Sequence, residues 1–541
     1  MVLIVGLLSL FALAVATALL ETSSARGFNP TAIVYIDAAR HLSAGRGIST
    51  TVLFLDSVPR LPAPLSVWAP LYPVTIAGLS RLGLDAPVAA RWSAILSFGL
   101  LVVVTGWVGS MLYGHRVAVV SALLVSVWPA MTRVAAEAWS ESLFVLLLLV
   151  SVAFTVRSIG FGGSKGTWAA LIGGLAMGAA ALARYPGIPL IAVGAITLFL
   201  VSRERWETRL TRAVVWGVAA GIPPAVWLIR NLVMTGALIG AGRQRDDLGW
   251  VRNILHALRA IASDGLGLLA RLLVVPEWMA TSAERMMLGT LLVGGVLTAV
   301  LMRHGALRKA VGDALRVPLA SAGARYVWAI GVGYWASMVI ARSLISFYPL
   351  DSRLMMPAYP LVALGVVAAA LTMIDKVWPV AGKHVPAVAA VVCLVVTSVL
   401  LLPRSLAAGG PRLSLPPAPP WVEWVATHTP SDALIVGNVT FEQNLYLRRP
   451  VLAFSSNRYG ISRFDCGGLS RMLERLQVRR AFLLLRTERG RFDAQHMGAL
   501  YGQVVEDLLN GASHLPLRPV ARHAEFAVFE VLGTPWDCDR G

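Results

Sequence analysis

The chain has 541 residues, 57% of them hydrophobic and only 14% charged, with a mean hydropathy of +0.69. Soluble domains run at about 45–50% apolar and about 25% charged. Composition therefore excludes an ordinary cytosolic enzyme, a disordered chain and a disulfide-stapled secreted domain, and leaves a polytopic membrane protein. The 47 Lys and Arg against 29 Asp and Glu, a formal net charge of +18, come with no basic–aromatic stripe and no nucleic-acid motif. They read as basic loops beside a membrane, with membrane lipids and no nucleic acid as partners.

Apolar runs long enough to cross a bilayer fall at 2–20, 91–112, 117–134, 140–157, 167–183, 186–202, 213–230, 286–302, 326–344, 354–374 and 385–402, eleven in all. The first lacks a basic start and is long for a signal peptide, so it reads as a retained helix. The stretch 252–275 is apolar but carries Arg252, Arg259, Asp264 and Arg271. It reads as an amphipathic helix lying in the interface. With the N-terminus inside, the inner loops collect Arg203, Arg205, Arg209, Arg212, Arg303, Arg308, Lys309 and Arg316 against few acids.

Three long segments then face outward: 21–90, 231–285 and everything after 403. A Pro-rich linker, Pro411 to Pro420, precedes the last of these. Beyond it, 433–437, 451–454, 481–485 and 526–532 read as strands, and 469–477 and 494–509 as helices. The expected organisation is a mostly α transmembrane bundle over 1–402, a linker over 403–420 and an extracytoplasmic α/β domain over 421–541. Cys466 and Cys538 of that domain pair only in an oxidising compartment. Cys393 lies in an apolar run, and no Cys/His metal spacing occurs.

Candidate site residues cluster on the outward side. In the first loop, Ile33, Ile36, Ala39 and Leu42 form one helical face, with Tyr35, Asp37 and Arg40 off that stripe and Gly45 and Gly47 ending the helix. Asp56 follows in the same loop, and Trp68-Ala69-Pro70-Leu71-Tyr72-Pro73 brackets an aromatic between prolines at a helix start. Glu137 and Glu141 are one turn apart where two spans meet. Arg184, Arg230, Arg342 and Arg353 all stand at outward span ends, against the inside bias. An anionic ligand accounts for this, because the planar guanidinium binds phosphate with two parallel hydrogen bonds. Asp432, Asn438, Glu442 and Asn444 are polar and near strand ends but compose no catalytic constellation.

Taken in order, Tyr35-x3-Ala39-Arg40-x4-Gly45-x-Gly47, Ala69-Pro70-Leu71-Tyr72-Pro73, Ser140-Glu141-x2-Phe144, Arg184-Tyr185-x-Gly187, Trp227-x2-Arg230-Asn231 and Arg353-x3-Pro357-x2-Pro360 resemble the GT-C integral-membrane glycosyltransferases. The branch is that of the bacterial aminoarabinose transferases and protein O-mannosyltransferases. The resemblance spans residues 30 to 360 and implies a polyprenyl-phosphate-linked sugar as donor. It implies an acceptor hydroxyl on a glycan, lipid or protein, inversion at the sugar, and a bacterial inner-membrane location. It also implies a first-loop carboxylate that acts as base or holds a divalent cation, with cationic groups on the departing phosphate.

The family's first-loop acid falls here at Thr31, and its second at Val67 and Trp68. Asp37 becomes the candidate base, with Asp56 and Glu141 as further catalytic candidates. Tyr35, Arg40, Tyr72, Glu137, Arg184, Tyr185, Arg230, Asn231 and Arg353 are the substrate-binding candidates. Two other readings stand beside this one: a non-catalytic protein of the same shape that binds a polyprenyl glycolipid, and a transporter. The scarcity of mid-span charges and of any internal repeat counts against the transporter.

Overall fold

The computed structural model describes residues 2–24, 27–54, 60–240, 249–273, 305–345, 349–437, 440–453, 466–478, 480–486, 517–523 and 526–532. Asp56, the expected span 286–302, the expected helix 494–509 and Cys538 lie outside the described residues.

Helices dominate. The first run comprises α1 (Val2–Glu21), α2 (Pro30–Ser43), α3 (Leu71–Arg81), α4 (Ala86–Tyr113), α5 (His115–Ser126) and α6 (Pro129–Ala136). It continues with α7 (Glu141–Gly160), α8 (Gly163–Ala183), α9 (Ile188–Val201), α10 (Trp206–Thr235) and α11 (Trp250–Leu272). Next come α12 (Gly305–Arg316), α13 (Ala322–Leu344), α14 (Ser352–Met355), α15 (Tyr359–Val377), α16 (Pro379–Val395) and α17 (Leu402–Ala407). Last are α18 (Pro420–His428), α19 (Thr440–Leu447) and α20 (Cys466–Leu476).

Among the described residues, seven helical stretches are long and apolar enough to cross a membrane: α4, α7, α8, α10, α13, Ser352–Val377 and Gly382–Ala407. At 1.5 Å per residue, α4 alone reaches about 40 Å, beyond a hydrocarbon core of about 30 Å. The run expected as one span over 117–134 is instead two helices, α5 and α6, bent by 55°. Pro129 lacks an N–H and forces Trp128 into an extended conformation (φ −69°, ψ 120°), so the helix breaks there. Counting that pair as one span gives eight. The expected spans at 2–20 and 186–202 appear as the shorter apolar helices Val5–Glu21 and Tyr185–Val201.

Close packing of α8 on α10 depends on small residues, as expected where no hydrophobic effect drives helices together in lipid. A Cβ at Gly174 would strike the Trp216 carbonyl and lie 2.9 Å from the Ala219 methyl. The amphipathicity of α11 is turned inside out. Val251, Leu255, Leu258 and Leu273 are exposed, while Asn253 and Arg271 are buried. Asn253 Nδ2 donates to Ser343 Oγ (2.9 Å), and Arg271 reaches Thr132 Oγ1 (3.1 Å) and Glu21 Oε1 (3.3 Å). Of the charges that set the sequence reading of this helix, Arg271 is buried against protein and Asp264 is half-buried, while Arg252 and Arg259 are exposed.

The strands are β1 (Ser49–Thr50), β2 (Val52–Phe54), β3 (Ala63–Pro64), β4 (Leu434–Gly437), β5 (Val451–Ala453), β6 (Ala481–Arg486), β7 (Leu517–Arg522) and β8 (Phe526–Val531). β1 and β3 pair with each other. The rest form one six-stranded sheet in the order β2-β5-β4-β6-β8-β7, with β2, β5, β4 and β6 parallel and β8 and β7 antiparallel additions.

The four expected strands beyond the linker are all present, but the sheet does not stop at the linker. Its edge strand, β2, comes from the first loop, with Val52 opposite Val451 and Phe54 opposite Ala453. This covers the otherwise open edge of β5. Val52 and Phe54 pack with Val34 and Ala38 of α2 and Trp421 of α18 on one face, while Leu53 packs with Met472 and Leu473 of α20 on the other. A sheet buried on both faces needs apolar residues throughout, which β4 (Leu-Ile-Val-Gly) supplies.

Candidate active site

The main cluster is built on the turn between α6 and α7. That turn passes through Ala138, whose φ of +57° lies in the left-handed region. A non-glycine residue there costs about 1–2 kcal/mol, and such positions gather at functional sites. The Tyr72 hydroxyl holds the turn, 2.9 Å from the Ala138 carbonyl and 2.9 Å from that of Ala90. The turn delivers Glu141 as the first residue of α7, where the helix dipole favours a carboxylate.

Glu141 is 1% exposed. Arg184, just past α8, pairs with its Oε1, and Arg353 Nε, from α14, lies 3.6 Å from the same oxygen. The Ser140 hydroxyl is 3.4 Å from Oε2. Tyr35 of α2 closes the cluster edge-on to Tyr72, ring centroids 5.3 Å apart. Burial raises the Tyr35 phenol above its usual range, against the opposing effects of Arg184 and Ser140. Burial, with Arg353 beside it, pulls the Arg184 guanidinium down to about 10, so it keeps its charge at neutral pH. Two guanidiniums thus share one buried carboxylate, and the Asp351 carboxylate also acts on Arg184.

The cluster extends in two directions. The Arg353 guanidinium lies 4.2 Å over the Trp139 ring, and Trp139 Nε1 donates to Glu137 Oε2 at 2.9 Å. The indole thereby links half-buried Glu137 to the arginine pair. On the other side, Tyr359 donates to Asp264 of α11 and stacks on Trp128 at 4.9 Å. Burial raises the Asp264 carboxyl above its ordinary value, with hydrogen bonds from Tyr359 and Ser352 opposing the rise. Sequence reading passed over Asp264 as a site residue. The signal was present: Asn253, Asp264 and Arg271 fall on one face of an α-helix, the face an apolar stripe would otherwise take.

No protein-family model matches the chain, and no curated protein matches it. Solved structures do. ArnT from Cupriavidus metallidurans bound to undecaprenyl phosphate superposes with a TM-score of 0.59 over 97% of both chains, at 14% identity. The Archaeoglobus fulgidus oligosaccharyltransferase in complex with Zn and sulfate gives 0.53 over 89% of this chain and 68% of its own, at 13% identity. The same archaeal enzyme with an inhibitory peptide and a dolichol-phosphate gives 0.50 at 11% identity. The chain has the GT-C fold. At these identities the likeness is one of architecture, as the motif order implied.

Within that GT-C frame, the remaining candidates fall into two groups apart from the Glu141 cluster. Tyr185, Arg230 and Asn231 hold the first loop. The Tyr185 hydroxyl donates to the Ser66 carbonyl (2.8 Å) and accepts from Trp227 Nε1 (3.0 Å) and Asn231 Nδ2 (3.3 Å). Arg230 donates to the carbonyls of Leu65 (2.9 Å) and Ile48 (3.2 Å).

Asp37 and Arg40 face the C-terminal sheet. The Asp37 carboxylate, 3% exposed, accepts from Thr50 Oγ1 (2.8 Å), Thr51 N (2.7 Å), Thr51 Oγ1 (3.1 Å) and Asn444 Nδ2 (3.3 Å). Both Arg40 Nη atoms donate to the Leu445 carbonyl at 3.1 Å. Arg342 is buried in α13. Among the described residues, no three His, Cys, Asp or Glu side chains converge as a metal site requires. The oxygens of Asp37, which the resemblance offers for that role, face N–H and O–H donors.

Proposed function

We propose that the protein is a membrane glycosyltransferase. It moves a sugar from a polyprenyl-phosphate carrier to an acceptor hydroxyl on the outer side of the bacterial inner membrane, with eleven spans and the C-terminal sheet outside. The observation that carries this reading is the Arg184–Glu141–Arg353 arrangement. A guanidinium pair held by one buried carboxylate is preorganised for a phosphate and needs little reorganisation as charge develops on it.

In this reading Glu141 positions the arginines and does not take the proton. The acceptor oxygen bonds to the anomeric carbon as the bond to the phosphate oxygen breaks. The electron pair leaves with the lipid phosphate, held by Arg184 and Arg353. The acceptor proton passes to half-buried Glu137, whose one oxygen is steadied by Trp139, the ring on which Arg353 lies. A single displacement inverts the sugar. Asp37 has its lone pairs engaged by four donors, so an acceptor hydroxyl would have to displace one of them.

The test is transfer of radiolabel from a panel of undecaprenyl-phosphate sugars to crude membrane acceptor by the purified protein. Glu137→Gln should abolish transfer and keep donor binding, while Arg353→Ala should lose both. Transfer undiminished in Glu137→Gln removes that residue as the proton acceptor. Saturable binding of a donor with no transfer by wild type favours the non-catalytic glycolipid-binding reading.

A further inference from the structure

Among the contacts between the C-terminal third of the chain and the first loop is a buried polar cluster that the proposed chemistry does not use. Asn444, 0% exposed on α19, donates to Asp37 Oδ1 (3.3 Å), Thr51 Oγ1 (3.0 Å) and the Arg449 carbonyl (3.0 Å). A primary amide has two N–H groups, so these three acceptors share them. Asp37 in turn gathers Thr50 and Thr51, the residues that lead into β2, and β2 is the sheet's edge strand beside β5. One residue on, the Leu445 carbonyl takes both Arg40 Nη donors. Thus α19 grips α2 at two places.

The geometry of α2 gives this contact its consequence. Tyr35 and Asp37 are two residues apart, about 200° around the helix, and so stand on nearly opposite sides. One side meets Tyr72 and the Ser140–Arg184 cluster; the other meets Thr50, Thr51 and Asn444. α2 is a rigid bar between the C-terminal sheet and the arginine site. A buried, multiply donated carboxylate suits such a joint, since an unmatched group there carries its full desolvation penalty.

We propose that Asn444 is a positioning residue: through Asp37 it sets α2, and with it the Tyr35 wall of the arginine site. This rests on the proposed transferase reading. The C-terminal sheet is then a working part of the site and not an appended module. Its removal disorders the first loop as well.

The experiment uses the full-length protein in detergent, the undecaprenyl-phosphate sugar panel, and hydrogen exchange of the peptide covering 49–54. Asn444→Leu and Asn444→Asp are each expected to lose protection at 49–54. Each should lower kcat about ten- to a hundredfold, the effect of a small misplacement, with donor KM little changed because both arginines remain. The exchange D37N/N444D places an amide opposite a carboxylate again but leaves the Arg449 carbonyl without its donor, and is expected to regain part of the protection and of kcat.

Protection kept in both single variants overturns the proposal, as does protection lost with kcat unchanged. A double variant that regains protection but not kcat also overturns it, since Asp37 then acts chemically. Wild type that transfers no sugar removes the transferase reading and this inference with it. Active wild type with indifferent Asn444 variants removes this inference alone.

Discussion

Replacing Glu141 by Gln separates stability from ligand binding in one measurement. The substitution leaves Arg184 and Arg353, whose side chains are 13% and 18% exposed, without their shared counter-charge. At 3.6 Å and an effective dielectric near 20, the Arg353 contact alone corresponds to about 5 kcal/mol of Coulomb attraction. Desolvation offsets part of it, and loss of one partner from a buried pair costs about 3–5 kcal/mol. Mid-sized domains lose roughly 2–4 °C of thermal midpoint per kcal/mol, and a larger cooperative unit loses less, so a fall of about 5 °C is expected.

The same change raises the positive charge at the site. If the arginines hold phosphate, Glu141→Gln should bind undecaprenyl phosphate more tightly. Each tenfold in affinity adds about 1.4 kcal/mol of stabilisation at a fixed saturating lipid concentration. Midpoints measured with and without undecaprenyl phosphate in detergent should show a larger lipid-induced rise in the variant than in wild type. An equal rise, or none, in both proteins would refute phosphate binding by this pair, whatever the stability loss.

Three further outcomes are expected. Arg230→Ala removes donors to the Leu65 and Ile48 carbonyls and should cost about 2 kcal/mol locally, seen as faster hydrogen exchange over 48–54 and 60–66 with the transmembrane helices unaffected. Asp264→Asn should raise the thermal midpoint at pH 8. A carboxyl raised by burial opposes folding once charged, so this benefit should shrink as pH falls and the wild-type carboxyl takes up its proton. A midpoint difference that grows at low pH would contradict that sign. Ala138→Gly should stabilise by about 1 kcal/mol, since glycine adopts a φ of +57° without penalty, and should leave Tyr72 in place.

Much of the architecture was legible from local pattern. The α4, α7, α8, α10 and α13 spans, the first-loop helix around Tyr35 and four of the five described strands beyond the linker follow from runs of apolar residues and their periods; β7 (Leu-Arg-Pro-Val-Ala-Arg) has no such run. Glu141, Arg184 and Arg353 could be nominated together because charge at a span end needs a reason. Their motif order pointed to the GT-C fold that the structural comparisons show. The broken α5–α6 pair was less legible, although Pro129 marked the place.

What the sequence by itself determined is where the chain must leave water. Burying a run of about twenty apolar residues is a local property, readable without knowing what the run packs against. Tertiary structure alone decided the partners of the polar groups. Asp37 and Asn444 are 407 residues apart, and Val52-Leu53-Phe54 is too short a run to announce a strand until β5 presents its open edge. Whether a carboxylate is free to take a proton, grips two arginines or pins a loop depends on which donors the fold brings to it, and no local pattern encodes that.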